Sequence, residues 1–98
     1  MLMSWLRRWL GGGAEADPVT ASEDYDGFEI QATPQREGDT WRVAGRVIWH
    51  LDSGVLQYDF VRADSFPSAD NATTMTLAKG RQLIDERGSD LFNDHPGQ

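Results

Sequence analysis

TWRVAGRVIWHLDSGVLQYDF, residues 40–60, is the stretch on which the fold turns. Trp41, Val43, Val47, Trp49 and Leu51 alternate with Arg42, Ala44, Arg46, Ile48 and His50, which is the period-two pattern of a half-buried strand. Beyond it, Leu56, Tyr58 and Phe60 alternate with Gln57, Asp59 and Val61. If Ser53 and Gly54 form a two-residue loop, Leu51 faces Leu56, Trp49 faces Tyr58 and Val47 faces Phe60. All the large apolar side chains then fall on one face.

Working upstream, Phe28, Ile30 and Ala32 alternate with Glu29, Gln31 and Thr33. A four-residue loop, Gln35-Arg36-Glu37-Gly38, would set Ala32 opposite Trp41, Ile30 opposite Val43 and Phe28 opposite Gly45, where a glycine leaves room for the ring. The expectation is an α+β domain built on a three-stranded antiparallel β-meander with one apolar face, and such a sheet needs a cover.

Downstream, Pro67 and Ser68 open a helix, Ser68 as N-cap, and Asp70 suits its first turn. Thr73, Thr76, Leu77, Gly80, Leu83 and Ile84 recur at helical spacing, while Lys79, Arg81, Gln82, Asp85 and Glu86 take the solvated side. Gly88 is the expected stop. Gly80 in the stripe costs about 1 kcal/mol of helix propensity, which close approach to tryptophans of the sheet would explain. Leu91 and Phe92 should fold back on the rim of the core.

The 98 residues fit one domain, with a formal charge of −7. Without cysteine, disulfides, zinc-thiolate sites and thiol nucleophiles are excluded. Arg7 and Arg8 make the first ten residues basic, and the other 88 carry 7 basic and 16 acidic side chains, a balance of −9. Such a body disfavours a grip on phosphate backbones, where affinity comes from Lys and Arg releasing counterions.

The first ten residues, MLMSWLRRWL, form an amphipathic helix on a helical wheel. Leu2, Leu6, Trp9 and Leu10 centre its apolar face, Met3 and Trp5 flank it, and Ser4, Arg7 and Arg8 gather opposite. It is too short to span a bilayer, which takes about 20 apolar residues, and too broken by arginine for a signal peptide. Three uses stay open: a foot lying in an anionic membrane surface, a helix docking a protein, or a segment packed on its own domain. Its candidate contact residues are Leu2, Trp5, Leu6, Arg7, Arg8, Trp9 and Leu10. Residues 11–24 read as a flexible Gly/acidic linker, 25–92 as the domain and 93–98 as a loose tail.

Chemistry-bearing residues are scattered. His50 and His95 come from different settings, and Asp64, Asp85 and Glu86 fit capping and solvated roles. No G-x-S-x-G, S-x-x-K, P-loop or G-x-G-x-x-G occurs. The chain therefore reads as no enzyme, with no catalytic, cofactor-binding or metal-ligating residue assigned. On the polar sheet face, Ala44, Ile48 and Val61 make a small apolar patch among charges, Arg46 opposite Val61 and Ile48 opposite Asp59. Arg42, Arg46, Ile48, Val61 and Arg62 are the candidate partner surface, for another protein or for a second copy in a homodimer.

The sequences YDGFEIQATPQ, GDTWRVAGRV, YDFVRADSFPS and KGRQLIDERGSDLF, spread from Tyr25 to Phe92, resemble the bacterial HlyU family. The N-terminal stretch ending in GGG is similar to the usual start of its members. The resemblance implies a short cytoplasmic protein, possible at the inner membrane face if the foot binds lipid, with a role in transcriptional activation. It implies no cofactor. The order helix, three strands, helix is also similar to double-stranded-RNA-binding domains, but their basic cluster is missing. With no helix-turn-helix in the pattern, action through protein contacts is favoured over direct DNA or RNA binding.

Overall fold

In the computed structural model, residues 18–93 are described. The N-terminal stretch with its seven candidate contact residues, the first half of the linker and most of the tail lie outside them. The elements are β1 (Ala21–Tyr25), β2 (Phe28–Ala32), β3 (Gln35–Glu37), β4 (Thr40–Leu51), β5 (Gly54–Phe66), α1 (Ala69–Arg87) and a 3₁₀ turn, Gly88–Phe92. The class is α+β with an antiparallel sheet and a C-terminal helix, as the pattern implies, but the sheet has five strands rather than three.

The additional strands have local causes. Asp26 and Gly27 both take positive φ, 52° and 89°, and turn β1 back onto β2 with Tyr25 opposite Phe28. Aspartate followed by glycine suits such a hairpin turn. Ala21 to Asp24 therefore belong to the sheet and not to a linker, and the domain starts upstream of Tyr25.

β2 and β3 share one register against β4, Ile30 facing Val47 and Arg36 facing Trp41. They form one long strand interrupted at Thr33 and Pro34, where the Thr33 N–H still donates to the Ala44 carbonyl at 2.8 Å. Proline has no N–H to continue the ladder. The hairpin loop is Gly38 and Asp39, with Gly38 at φ 59°. Against the four-residue loop read from the sequence this moves every pair by four positions, so that Ala32 faces Gly45.

The second hairpin turns at Asp52 and Ser53, placing Leu51 opposite Gly54, Trp49 opposite Leu56 and Val47 opposite Tyr58. That is a displacement of two from the expected pairing. Both displacements are even, and side chains alternate with period two, so every residue stays on its expected face. Near the far end, Arg42 faces Ser65 while Ala44 faces Val61, so β5 carries a bulge around Arg62 to Asp64.

The inner face is covered by α1. Its N-cap Ser68 accepts the Asn71 N–H at 3.0 Å, and at its end the Gly88 N–H reaches the Ile84 carbonyl. Its buried residues are Ala72, Thr76, Gly80 and Ile84, one every fourth position. Three of the four are small, so the helix backbone comes close to the sheet. A Cβ on Gly80 would lie 2.5 Å from a methyl of Ile30, so the neighbour that requires glycine is this isoleucine and not a tryptophan. A Cβ on Gly45 would sit 2.5 Å from the Gln31 carbonyl oxygen and 2.6 Å from the Thr76 methyl, with Phe60 just beyond. Gly45 thus makes room for Thr76 and Phe60, and Phe28 instead stacks on Phe92 and packs at a tilt against Trp49, ring centroids 6.1 and 5.4 Å away.

Ile30, Val47, Phe60, Ile84 and Leu91 form the core cluster, and the 3₁₀ turn delivers Leu91 to it as the sequence suggests. Burying one such aliphatic side chain contributes about 1.5 to 3 kcal/mol.

Candidate interaction face

The face of the sheet turned away from α1 is a grid set by the strand register. Glu29, Ile48 and Gln57 form one row across β2, β4 and β5. Gln31, Arg46 and Asp59 form the next, and Ala44 with Val61 a third. Arg46 therefore opposes Asp59 rather than Val61, and Ile48 opposes Gln57 rather than Asp59. Opposite charges across a strand pair are the favourable arrangement.

Polar side chains bond along and across the strands around Ile48. Gln31 Nε2 donates to Glu29 Oε2 at 3.0 Å, Glu29 Oε1 meets His50 Nε2 at 2.7 Å, and Gln57 Nε2 donates to Asp59 Oδ1 at 2.8 Å. Between these bonded chains Ile48 is only 7 % exposed, and Ala44 is buried beside it. Val61 is 54 % exposed, the most open of the large apolar side chains among the described residues. Burial alone would push the Glu29 carboxyl up. Hydrogen bonds from His50 and Gln31, with the charge of His50, outweigh it and hold the group below the ordinary carboxylate range.

Arg42 grips Glu37 with two bonds of 2.8 Å, Nε to Oε2 and Nη2 to Oε1, and its Nη1 donates to the Arg62 carbonyl at 3.1 Å. It thereby ties the β3–β4 hairpin to the bulge of β5. The fork holds the Glu37 carboxyl below its usual range and raises the guanidinium in turn. The Arg62 side chain stays exposed where the bulge lifts the strand.

The five candidate residues thus share one region in different states. Val61 and Arg62 are open, Arg46 is half-buried in the centre, Arg42 is committed to Glu37, and Ile48 lies beneath its neighbours. A face that combines an exposed valine with guanidiniums and carboxylates can recognise a protein surface of mixed character.

The opposite side is occupied differently. Arg81 Nη1 contacts both carboxylate oxygens of Glu23, at 2.7 and 2.9 Å, and the Tyr25 hydroxyl donates to Asp85 at 2.8 Å. These bonds pin β1 to α1. The bond to Asp85, with some desolvation and its negative charge, raises the Tyr25 pKa. Among the described residues no group of three or more His, Asp or Glu is placed to hold a metal ion. None of the β1 contacts was visible in the sequence without the strand, and the Asp26-Gly27 pair was the signal that could have revealed it.

A family model described as Transcriptional activator HlyU matches residues 4–92. No curated protein and no solved structure matches the chain. The matched span takes in most of the N-terminal amphipathic stretch as well as the sheet and helix.

Proposed function

The chain belongs to the HlyU family, and from that premise we propose that it is a noncatalytic regulatory protein that promotes transcription by contacting a protein partner. The helix-free sheet face is the contact surface, with Arg42, Arg46, Ile48, Val61 and Arg62 as its residues. The single observation behind this choice is the 54 % exposure of Val61 on the sheet face that also carries Arg46 and Asp59. Two further features support protein over DNA as the partner. The residues after the tenth carry a balance of −9, which repels phosphate. The exposed residues of α1 include Asp70, Asp85 and Glu86 and no Lys or Arg, which is unsuited to a helix lying in a DNA groove.

The same reading places the protein in the cytoplasm. It is tested by transcript measurement in a host strain lacking the chain, complemented with wild type or with the double variant Arg46→Glu/Arg62→Glu. The expected result is wild-type accumulation of a folded variant that does not restore transcript. Full restoration would remove this face from the account.

A second reading, a membrane-surface adaptor, is favoured by the sequence of the first ten residues. Leu2, Trp5, Leu6, Trp9 and Leu10 would enter the interface while Arg7 and Arg8 meet anionic headgroups. The matched family span starts at residue 4, so residues 4–10 of this stretch fall within the family pattern. Liposome flotation of the full chain decides it: flotation with anionic but not neutral lipid supports the adaptor, and none with either removes it.

A further inference from the structure

β5 is an edge strand. Among the described residues it pairs with β4 alone, and from Gly54 to Val61 that pairing runs without irregularity. No proline or lysine interrupts the stretch, GVLQYDFV, and Val55, Leu56 and Val61 in it are all exposed. Such an open edge invites pairing with another strand, and natural sheets usually blunt theirs with charge, proline or a bulge. Here the bulge comes only after Val61.

The register determines which backbone groups are available. The loop of Asp52 and Ser53 closes on Leu51 and Gly54 as a hydrogen-bonded pair, and bonded and non-bonded pairs alternate from there. Gly54, Leu56, Tyr58 and Phe60 therefore spend their N–H and C=O groups on β4. Those of Val55, Gln57, Asp59 and Val61 point outward.

We infer that the edge is completed by a second copy of this chain, its β5 antiparallel to the first, with Tyr58 on the two-fold axis. That register sets Val55 opposite Val61 and Gln57 opposite Asp59, each twice, so all four outward residues find backbone partners. The side chains agree with it. The exposed valines, 37 % and 54 %, cover one another on the outer face, and Leu56, 41 % exposed, lies opposite Phe60 on the inner face. The Asp59 carboxylate meets the partner's amide from the same residue type that already donates to it at 2.8 Å within the strand.

Neighbouring registers lack this match. Both faces must continue across the axis, so the axis passes through a residue. Asp59 on the axis would oppose two carboxylates directly, and Gln57 on the axis would set Val55 against Asp59. Phe60 on the axis would run the pairing into the bulge. The assembly is one continuous sheet whose two helix-free faces lie side by side, with Val61 taken into the seam and Arg42 and Arg46 of both copies left on the joined face.

Sedimentation of the full chain over a concentration series tests this, with two kinds of variant. Gln57 gives β4 no backbone bond, so Gln57→Pro removes a donor from the seam while sparing the ladder within the chain. The chain has no cysteine. Val55→Cys and Val61→Cys can therefore be mixed under mild oxidation, their Cα separation across a bonded pair suiting a disulfide. The expected results are a reversible dimer, a dissociation constant raised about tenfold or more by Gln57→Pro, and cross-linking in the mixture but in neither variant alone. A monomer at every concentration, a dimer indifferent to Gln57→Pro, or cross-linking equally strong in the single variants would overturn the proposal.

Discussion

The two faces of β4 carry opposite solutions to burial. On the inner face Val43, Gly45 and Val47 meet a helix that approaches through Ala72, Thr76 and Gly80, and two positions have no room for even a Cβ. On the outer face Ala44 and Ile48 are just as hidden, but by the side chains of neighbouring strands bonded to one another. The first arrangement is close-packed and cannot yield without moving backbone. The second can rearrange side chain by side chain, which is what a recognition surface requires. One strand thus divides its work: alternate residues hold the fold and their neighbours remain available.

The contrast can be broken most forcefully from inside. Ile30 is fully buried and fills the space that Gly80 leaves, so Ile30→Ala should cost about 2 to 5 kcal/mol, read by urea unfolding. Gly45→Ala should follow at about 3 kcal/mol, the upper end of ordinary overpacking, because its Cβ meets a carbonyl oxygen of the ladder itself. If either melted like wild type, the inner face would not be the rigid one.

Acid sharpens the comparison from the other side. Glu29 and Glu37 both titrate below the ordinary 4.5 in the folded protein. A depressed carboxylate stabilises the fold above its unfolded pKa and loses that contribution as pH falls through the folded one. Stability should therefore decline below about pH 4.5 less steeply in Glu29→Gln than in wild type, as thermal melts across pH 3 to 6 would show. A parallel decline would mean that the bonds to His50 and Gln31 are not kept in solution. The smallest effect is expected at Arg62→Ala, within about 0.5 kcal/mol of wild type, since that side chain is exposed and the bond it shares with Arg42 is through its carbonyl.

Legibility in the sequence follows the same division. Which residues face the helix could be read from alternation alone, and it survived loops misplaced by four and by two positions because both errors were even. The exact pairings could not, since Gly38-Asp39 and Ser53-Gly54 offer turn residues in several adjacent frames. β1 was hidden because ASEDY has almost no apolar content, and its stability comes from Arg81 gripping Glu23 and Tyr25 reaching Asp85, contacts 58 and 60 residues apart in the chain. Gly80 announced a close approach, but helical periodicity could not name Ile30 as the residue approached. The candidate surface was legible as a set of outward residues. Its internal wiring, with Arg42 committed to Glu37 and Ile48 covered, depends on side-chain bonds that no spacing encodes.

The central claim, that stability is concentrated where the small-residue stripe of α1 meets the sheet, is tested most directly by the urea unfolding free energy of Gly80→Ala. Helix propensity alone favours alanine by about 1 kcal/mol. The contact with Ile30 predicts the opposite sign, a loss of about 1 kcal/mol or more once the new methyl is forced against a fully buried side chain. A Gly80→Ala chain more stable than wild type would contradict the account, because it would place the helix farther from the sheet than the division between the two faces allows.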